Sequence, residues 1–154
     1  MKSGVVIALG LAVSMGSASA ASTTSPAEIM NDLAHATNSG DLPAARALFT
    51  SSPTIVDSFA PFSWQGANAV DKWWSSFGRF SKRHGMSNID VELSAPLVSE
   101  FDREKDDAYV VVPGVITGSM NGSTFRMTGR NTGVLTLTPA GWRIVVWAWT
   151  DDPH

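Results

Sequence analysis

The hydrophobic pattern of the chain changes its period halfway along, and that change restricts the fold more than any other feature. Before residue 85 the apolar residues recur at helical spacing, as Val70, Trp73 and Phe77 do. From residue 88 onward they alternate, and turn signals separate the alternating runs. Three helices followed by an antiparallel meander predict an α+β fold in which the helices cover one face of a strongly curved sheet.

The first half contains three predicted helices and one short strand. Ser25-Pro26-Ala27-Glu28 is a capping box with proline at the first helical position, so a helix is expected to begin there and to end at Gly40. A second helix is predicted over 42–50 and a third from 67 to about 83. Between them, residues 54–57 favour a short strand.

The second half is predicted to be a series of strands joined by tight turns. Asn121-Gly122 is the strongest of the turn signals, since both residues tolerate a positive φ. The predicted strands cover residues 88–93, 97–101, 108–119, 123–138 and 142–150. A meander of this kind forms one sheet, and no linker divides it from the helices.

The faces of the last two strands predict what lies inside the sheet. One face of 125–133 carries Phe125, Met127 and Asn131 beside Gly129 and Gly133, and glycines at such positions suit a strongly bent strand. In the last strand the alternation places Val145, Trp147 and Trp149 on one face with Asp151 at its rim, and Ile144, Val146 and Ala148 on the other. Large aromatic side chains in a conical interior suit an apolar, ring-sized ligand, or they fill the cone as core.

The first twenty residues have the pattern of a cleavable secretory signal. Lys2 provides the positive charge, Val5 to Val13 the short apolar run, and Ala18-Ser19-Ala20 the small-residue cleavage site. We therefore expect a signal peptide over 1–20, cleavage after Ala20, a single domain over 21–154, and a secreted or periplasmic location, with no membrane attachment after cleavage.

Composition excludes several kinds of site. The chain has no cysteine, so disulfides, thiol catalysis and zinc–thiolate sites are excluded. Its formal net charge is −3 and no basic cluster is evident, which argues against nucleic acid as a partner. The three histidines do not have metal-ligand spacing, and no phosphate loop or dinucleotide motif occurs, so neither a metal nor a cofactor is predicted.

Three stretches of the chain resemble the NTF2-like superfamily, and within it the SnoaL-like and ketosteroid-isomerase-like branch. They are Ser39-Gly40-Asp41-Leu42 with the following Ala45 to Phe49, then Thr54 to Phe59 with Trp64-Gln65-Gly66, and finally 129–137 with Gly141 to Ile144 and Trp147-Ala148-Trp149. The resemblance covers about residues 26–150 and implies a cone-shaped α+β fold. It also implies a homodimer through the outer sheet face, whose candidate residues are Arg126, Thr128, Arg130 and Thr132.

The resemblance also allows the steroid-isomerase site to be carried over residue by residue. Asp57 falls at the position of the general base, at the matching distance from Gly66. The positions of the two oxyanion donors hold Leu33 and Gly133, neither of which can donate from its side chain. Since the loss of one such donor typically costs about 10²–10³ in rate, true ketosteroid isomerase activity is not expected.

Three hypotheses for function follow. The first is an exported SnoaL-like domain that binds a small hydrophobic, ring-containing molecule. The second is a lyase, isomerase or cyclase of the same fold that uses Asp57 as general base without a metal, and the third is a non-catalytic homodimeric accessory protein. Besides Asp57, the candidate ligand-binding residues are Trp64, Trp73, Phe125, Met127, Asn131, Trp147, Trp149 and Asp151.

Overall fold

The computed structural model of the chain describes residues 24–153. The elements in chain order are α1 (Pro26–Ser39), α2 (Leu42–Ala47), β1 (Phe49–Val56), β2 (Ser63–Gln65), α3 (Ala69–Arg83), β3 (Met86–Leu93), β4 (Val98–Asp102), β5 (Asp107–Met120), β6 (Ser123–Thr138) and β7 (Gly141–Asp151). The α+β class is confirmed. The predicted signal peptide over 1–20 lies outside the described residues, and no helix among residues 24–153 is long and apolar enough to cross a bilayer.

Helix α1 begins and ends where the sequence predicted. The Ser25 hydroxyl accepts a hydrogen bond from the Glu28 N–H, and the Glu28 carboxylate accepts one from the Ser25 N–H, which completes the capping box. Gly40 follows the helix in the left-handed conformation, with φ 70°, and its N–H bonds back to carbonyls of the last turn. The helix therefore has a fixed length and direction against the sheet.

The second helix is shorter than predicted, and the first strand is longer. Helix α2 ends at Ala47, whereas the sequence predicted that it would run to residue 50. Phe49 is instead the first residue of β1, where it pairs with Ile144 of β7 and its side chain is buried. Tertiary pairing with β7 thus overrides the helical spacing of the apolar residues at this point.

The strands form one open sheet in the order β2-β1-β7-β6-β5-β3, with β4 pairing the other half of β5. Strand β1 runs parallel to β7, while the other neighbours are antiparallel, so the sheet is mixed and not wholly antiparallel. The long β5–β6 hairpin turns at Asn121 and Gly122, whose φ values are 51° and 84°. This is the two-residue turn that the sequence predicted.

A β-bulge in β7 corrects the predicted faces of the last strand. The pairing with β6 shifts between Val134↔Val146 and Leu135↔Ile144, so that β7 has one extra residue there. Strict alternation placed Ile144 opposite to the face of Trp147. The extra residue reverses the alternation, and Ile144, Trp147 and Trp149 are all buried in the core.

The core lies between one face of the sheet and helices α1 and α3. From α1, Met30 packs against Gly133 of β6, where a Cβ atom would lie 2.8 Å from the Met30 sulfur. Glycine at this position thus lets a helix side chain approach the sheet closely. From α3, Trp73 packs against Trp147 of β7, with ring centroids 5.2 Å apart.

Candidate functional site

Asp57 lies immediately after β1, at the end of the strand where α3 crosses. Its Oδ2 accepts a hydrogen bond of 2.8 Å from the indole Nε1 of Trp73 on α3, and its Oδ1 accepts one of 2.7 Å from the N–H of Ser58. The backbone N–H of Asp57 donates to the Phe62 carbonyl at 3.1 Å, which closes the loop that follows. The carboxylate is therefore held by two donors, and each oxygen keeps further acceptor capacity.

The pKa of Asp57 is raised to about 6 from its ordinary value of 3.8. Burial is the main cause, because it removes water from the charged form. The hydrogen bonds from Trp73 and Ser58 act in the opposite direction, and the negative charge of Asp151 raises the pKa further. The carboxyl group consequently titrates close to neutral pH, as a general acid or base must.

Asp151 ends β7 and is held by a second indole. Its Oδ1 accepts a 2.6 Å hydrogen bond from Nε1 of Trp149, two residues earlier on the same face. Both acidic residues are half-buried. The carboxylates of Asp57 and Asp151 are thus each oriented by the N–H group of a tryptophan.

Asn131 lies on β6, in register with Trp149 of β7. Its Oδ1 accepts a 3.0 Å hydrogen bond from Nε1 of Trp147, and its side chain is only 5% exposed. The Nδ2 atom is buried and has no hydrogen-bond partner within residues 24–153. An orphaned buried donor of this kind costs free energy, so Nδ2 is the one polar atom of Asn131 whose hydrogen-bonding capacity is unused among residues 24–153.

These groups form one continuous set of contacts, which we call the indole–carboxylate cluster. The ring centroids of Trp73 and Trp147 are 5.2 Å apart, so the partner of Asp57 touches the partner of Asn131. The order of the cluster residues across the sheet is fixed by the strand register, because Ile55 pairs with Trp147 and Asn131 pairs with Trp149. The members of the cluster are Asp57, Trp73, Asn131, Trp147, Trp149 and Asp151.

The indole of Trp149 lies over a pair of glycines that the sheet places side by side. Gly114 of β5 pairs directly with Gly129 of β6. A Cβ atom on Gly129 would lie 2.5 Å from Cζ2 of Trp149, and one on Gly114 would lie 3.2 Å from both Cζ3 of Trp149 and Nδ2 of Asn131. The glycines therefore provide the room in which the ring and the amide lie.

The structure does not bring the remaining predicted ligand-binding residues to this cluster. Trp64 lies on β2, where it packs against Phe59 and donates from Nε1 to the Ser76 hydroxyl at 3.3 Å. Phe125 lies near the β5–β6 turn against Gly118. Met127 is half-buried on β6 opposite Ile116.

Gly114 is the cluster neighbour that the sequence reasoning missed. A glycine inside the strongly apolar run 108–119 could have indicated a close approach to the strand at this point. Its alignment with Gly129, however, depends on the register of the hairpin. Leu33 and Gly133 stand at the two oxyanion-donor positions that the resemblance implied. Both belong to the core here, since Leu33 is buried and Gly133 lies against Met30.

Among residues 24–153 there is no group of three or more acidic or histidine side chains that could hold a metal ion. His35 and His84 are both exposed. The chemistry available at the cluster is therefore hydrogen bonding and proton transfer by carboxylates, indole N–H groups and one amide.

Comparison with known proteins gives one family match and many structural ones. Residues 27–148 match the model of the SnoaL-like domain. A comparison with curated proteins found no match.

Three solved structures illustrate the structural likeness. The CaMKII hub of S. rosetta is 20% identical, covers 86% of this chain and 98% of its own, and has a TM-score of 0.68. An NTF2-like superfamily protein from Salmonella enterica is 21% identical over 82% and 88%, with a TM-score of 0.66. A ketosteroid isomerase-like protein from Erwinia carotovora atroseptica is 14% identical over 83% and 94%, with a TM-score of 0.64. At these identities the likeness concerns the fold.

Proposed function

The chain belongs to the SnoaL-like domain family, whose fold serves diverse enzymes and binding proteins, and from that premise we propose that it binds a small ring-containing molecule at the indole–carboxylate cluster. The observation that carries the proposal is the half-buried Asp57 carboxylate, bonded to the Trp73 N–H and raised in pKa to about 6, at an aromatic wall. A charged group in such surroundings is costly to stability, and groups of this kind occur preferentially at functional sites.

The polar groups of the cluster define the ligand's chemistry. Asp57 and Asp151 accept hydrogen bonds, Asn131 Nδ2 is a donor without a partner among residues 24–153, and the indoles offer apolar contact. A bicyclic phenol suits the amide and one carboxylate, because its oxygen accepts from the amide and its O–H donates to the carboxylate. A bicyclic ketone suits the amide in the same way and presents an acidic C–H to the carboxylate.

A second candidate function, proton transfer catalysed by Asp57, is favoured by the raised pKa of that residue. In the ionised form Asp57 takes a proton from the carbon next to a carbonyl. The C–H bond breaks, its electron pair forms the C=C bond of an enolate, and the π pair of the carbonyl moves to its oxygen, which the Asn131 amide stabilises by a hydrogen bond. The proton then returns from Asp57 to carbon or exchanges with solvent.

We expect 2-tetralone, a bicyclic ketone with such protons, to quench the tryptophan fluorescence of the protein saturably. In D₂O the wild type is expected to exchange the α-protons for deuterium, followed by NMR, with the rate falling about 100-fold in Asp57→Asn. Binding should survive this change within a factor of a few, since the indoles are intact.

Asp102→Asn serves as the control, because Asp102 ends β4 and is not part of the cluster. Equal exchange rates for wild type and Asp57→Asn would refute the catalytic candidate alone. The binding proposal fails if 2-tetralone and a panel of related phenols and ketones show no saturable quenching.

We also propose that the chain is exported by its predicted signal peptide.

We further propose that the mature domain forms a homodimer through the outer sheet face. Arg130 is exposed on that face, and Thr128 and Thr132 are half-exposed. The similar structure from S. rosetta is a CaMKII hub, which supports self-association of this fold. Sedimentation velocity is expected to give twice the monomer mass, and Thr132→Lys should shift the protein toward monomer because it places like charges opposite each other. A wild-type protein that sediments as monomer at about 100 μM would contradict this proposal.

A further inference from the structure

A concave surface lies beside α3, apart from the indole–carboxylate cluster. It is an open groove of about 510 Å³ between the helix and the loop that follows β1. An adjacent cavity of about 310 Å³ shares Pro61, Ser76 and Arg79 with it and extends to Arg83 and His84. We call these two together the α3 groove, and none of the cluster residues is among their lining.

The α3 groove is positively charged, although the chain as a whole carries a net charge of −3. Lys72, Arg79 and Arg83 contribute to its lining, and none of them forms a salt bridge within residues 24–153. The one carboxylate in the lining, Asp71, is paired with Arg46 of α2. The potential in the groove thus favours an anion.

Ser76 provides an independent indication of a ligand. Its side chain is only 8% exposed, and its Oγ accepts hydrogen bonds from Nε1 of Trp64 at 3.3 Å and from Nη2 of Arg79 at 2.9 Å. A hydroxyl group has two lone pairs and one proton, so with both lone pairs used the O–H must donate elsewhere. Within residues 24–153 no hydrogen bond takes up that proton, and Ser76 lines both parts of the groove.

We propose that the α3 groove binds an organic oxyanion, a molecule with one carboxylate, sulfate or phosphate group on a flat apolar body. The oxyanion accepts the Ser76 O–H and the free N–H groups of Arg79, with Lys72 or Arg83 close by to balance its charge. Its apolar body lies along Pro61 and the edge of Trp64, which form the apolar part of the lining. This site is separate from the one proposed for ring-containing ketones and phenols, and it selects for charge.

The test compares 1-naphthyl phosphate with methyl phosphate and inorganic phosphate by isothermal titration calorimetry at low ionic strength. The naphthyl phosphate is expected to bind at least tenfold more tightly than either of the other two, since only it has both the anion and the ring. Arg79→Gln should weaken its binding about tenfold, because a charge-assisted hydrogen bond is lost. Arg103→Gln, which removes an exposed cation from the β4–β5 turn, should leave its affinity unchanged.

Two results would overturn the proposal. One is that methyl phosphate or inorganic phosphate binds as tightly as 1-naphthyl phosphate; the other is that Arg79→Gln leaves the affinity unaltered. Asp57→Asn provides the separation from the cluster, since the naphthyl phosphate affinity is expected to stay the same in that variant. Asp57→Asn removes a negative charge, so an anion bound at the cluster would bind more tightly in that variant. Such an increase would place the anion at the cluster and would refute the α3 groove as its site.

Discussion

Replacing Gly129 with alanine is expected to lower the free energy of unfolding by about 3 kcal/mol, which is the upper part of the range for overpacked cores. The added Cβ would lie 2.5 Å from the Trp149 ring and would also meet the Thr150 carbonyl oxygen on the neighbouring strand. Backbone of a paired strand cannot move aside as a flexible side chain can, so the strand itself must shift. Urea unfolding followed by tryptophan fluorescence measures the effect as a lower midpoint.

Gly78→Ala is the matched control for this substitution. Gly78 lies within α3 and a Cβ atom there would meet nothing within 4 Å. Because alanine favours the helix over glycine, this variant should be more stable than the wild type, by about 0.5–1 kcal/mol. If Gly129→Ala were as stable as the wild type, the Trp149 indole would not lie against the two glycines, and the geometry of the cluster would have to be revised.

The fold could be predicted from the sequence wherever local signals and tertiary contacts agree. The capping box at Ser25 and the Asn121-Gly122 turn are local features, and the structure has both where they were predicted. Strand β6 has the predicted bounds, 123 to 138, because turn residues flank it on either side. Such elements are determined by a few neighbouring residues.

The errors occur where distant parts of the chain decide the local structure. Phe49 and Thr50 have helical spacing but belong to β1, because Phe49 pairs with Ile144 almost a hundred residues away. The extra residue in β7 is equally invisible to a rule of strict alternation, and it brings Ile144 to the same side as Trp147. The parallel pairing of β1 with β7 also depends on contacts that no local pattern contains.

The same distinction applies to the residues of the candidate site. Asp57, Trp73 and Asp151 were singled out from the sequence, and they lie together because β1, α3 and β7 meet at one end of the sheet. Trp64 and Phe125 were singled out because they are also aromatic, but they lie elsewhere. Trp64 is placed by β2, and Phe125 is placed by the turn end of the β5–β6 hairpin. Residue type indicated the chemistry, and strand register decided which residues take part.

Asp57→Asn is expected to change the way in which stability depends on pH. The pKa of Asp57 is raised in the folded protein to about 6 from 3.8, so the folded state holds this proton more tightly than the unfolded state does. The favourable contribution is therefore present at pH values below about 4 and is lost as the pH rises through about 6. Since one pKa unit corresponds to about 1.4 kcal/mol, the wild type should lose roughly 2–3 kcal/mol relative to Asp57→Asn between pH 4 and pH 8.

Two neighbouring substitutions should move this transition in opposite directions. Trp73→Phe removes an N–H group that lowers the pKa of Asp57, so the loss of stability should extend to higher pH. Asp151→Asn removes a like charge that raises the pKa, so the loss should be complete at lower pH. Urea unfolding at half-unit pH intervals measures all four proteins. A constant difference between wild type and Asp57→Asn from pH 4 to pH 8 would contradict a buried, titrating Asp57.

The same ionisation connects stability with the proposed proton transfer. Only the charged carboxylate can take a proton, so exchange of the 2-tetralone protons should rise with pH and reach half its plateau near the pKa of about 6. Over that interval the protein becomes less stable, because the charge that acts on the substrate is the charge that burial disfavours. In Trp73→Phe the midpoint of the exchange profile and the midpoint of the stability loss should therefore move to higher pH together. If only one of them moved, different groups would be responsible for the two profiles, and Asp57 would not be the base.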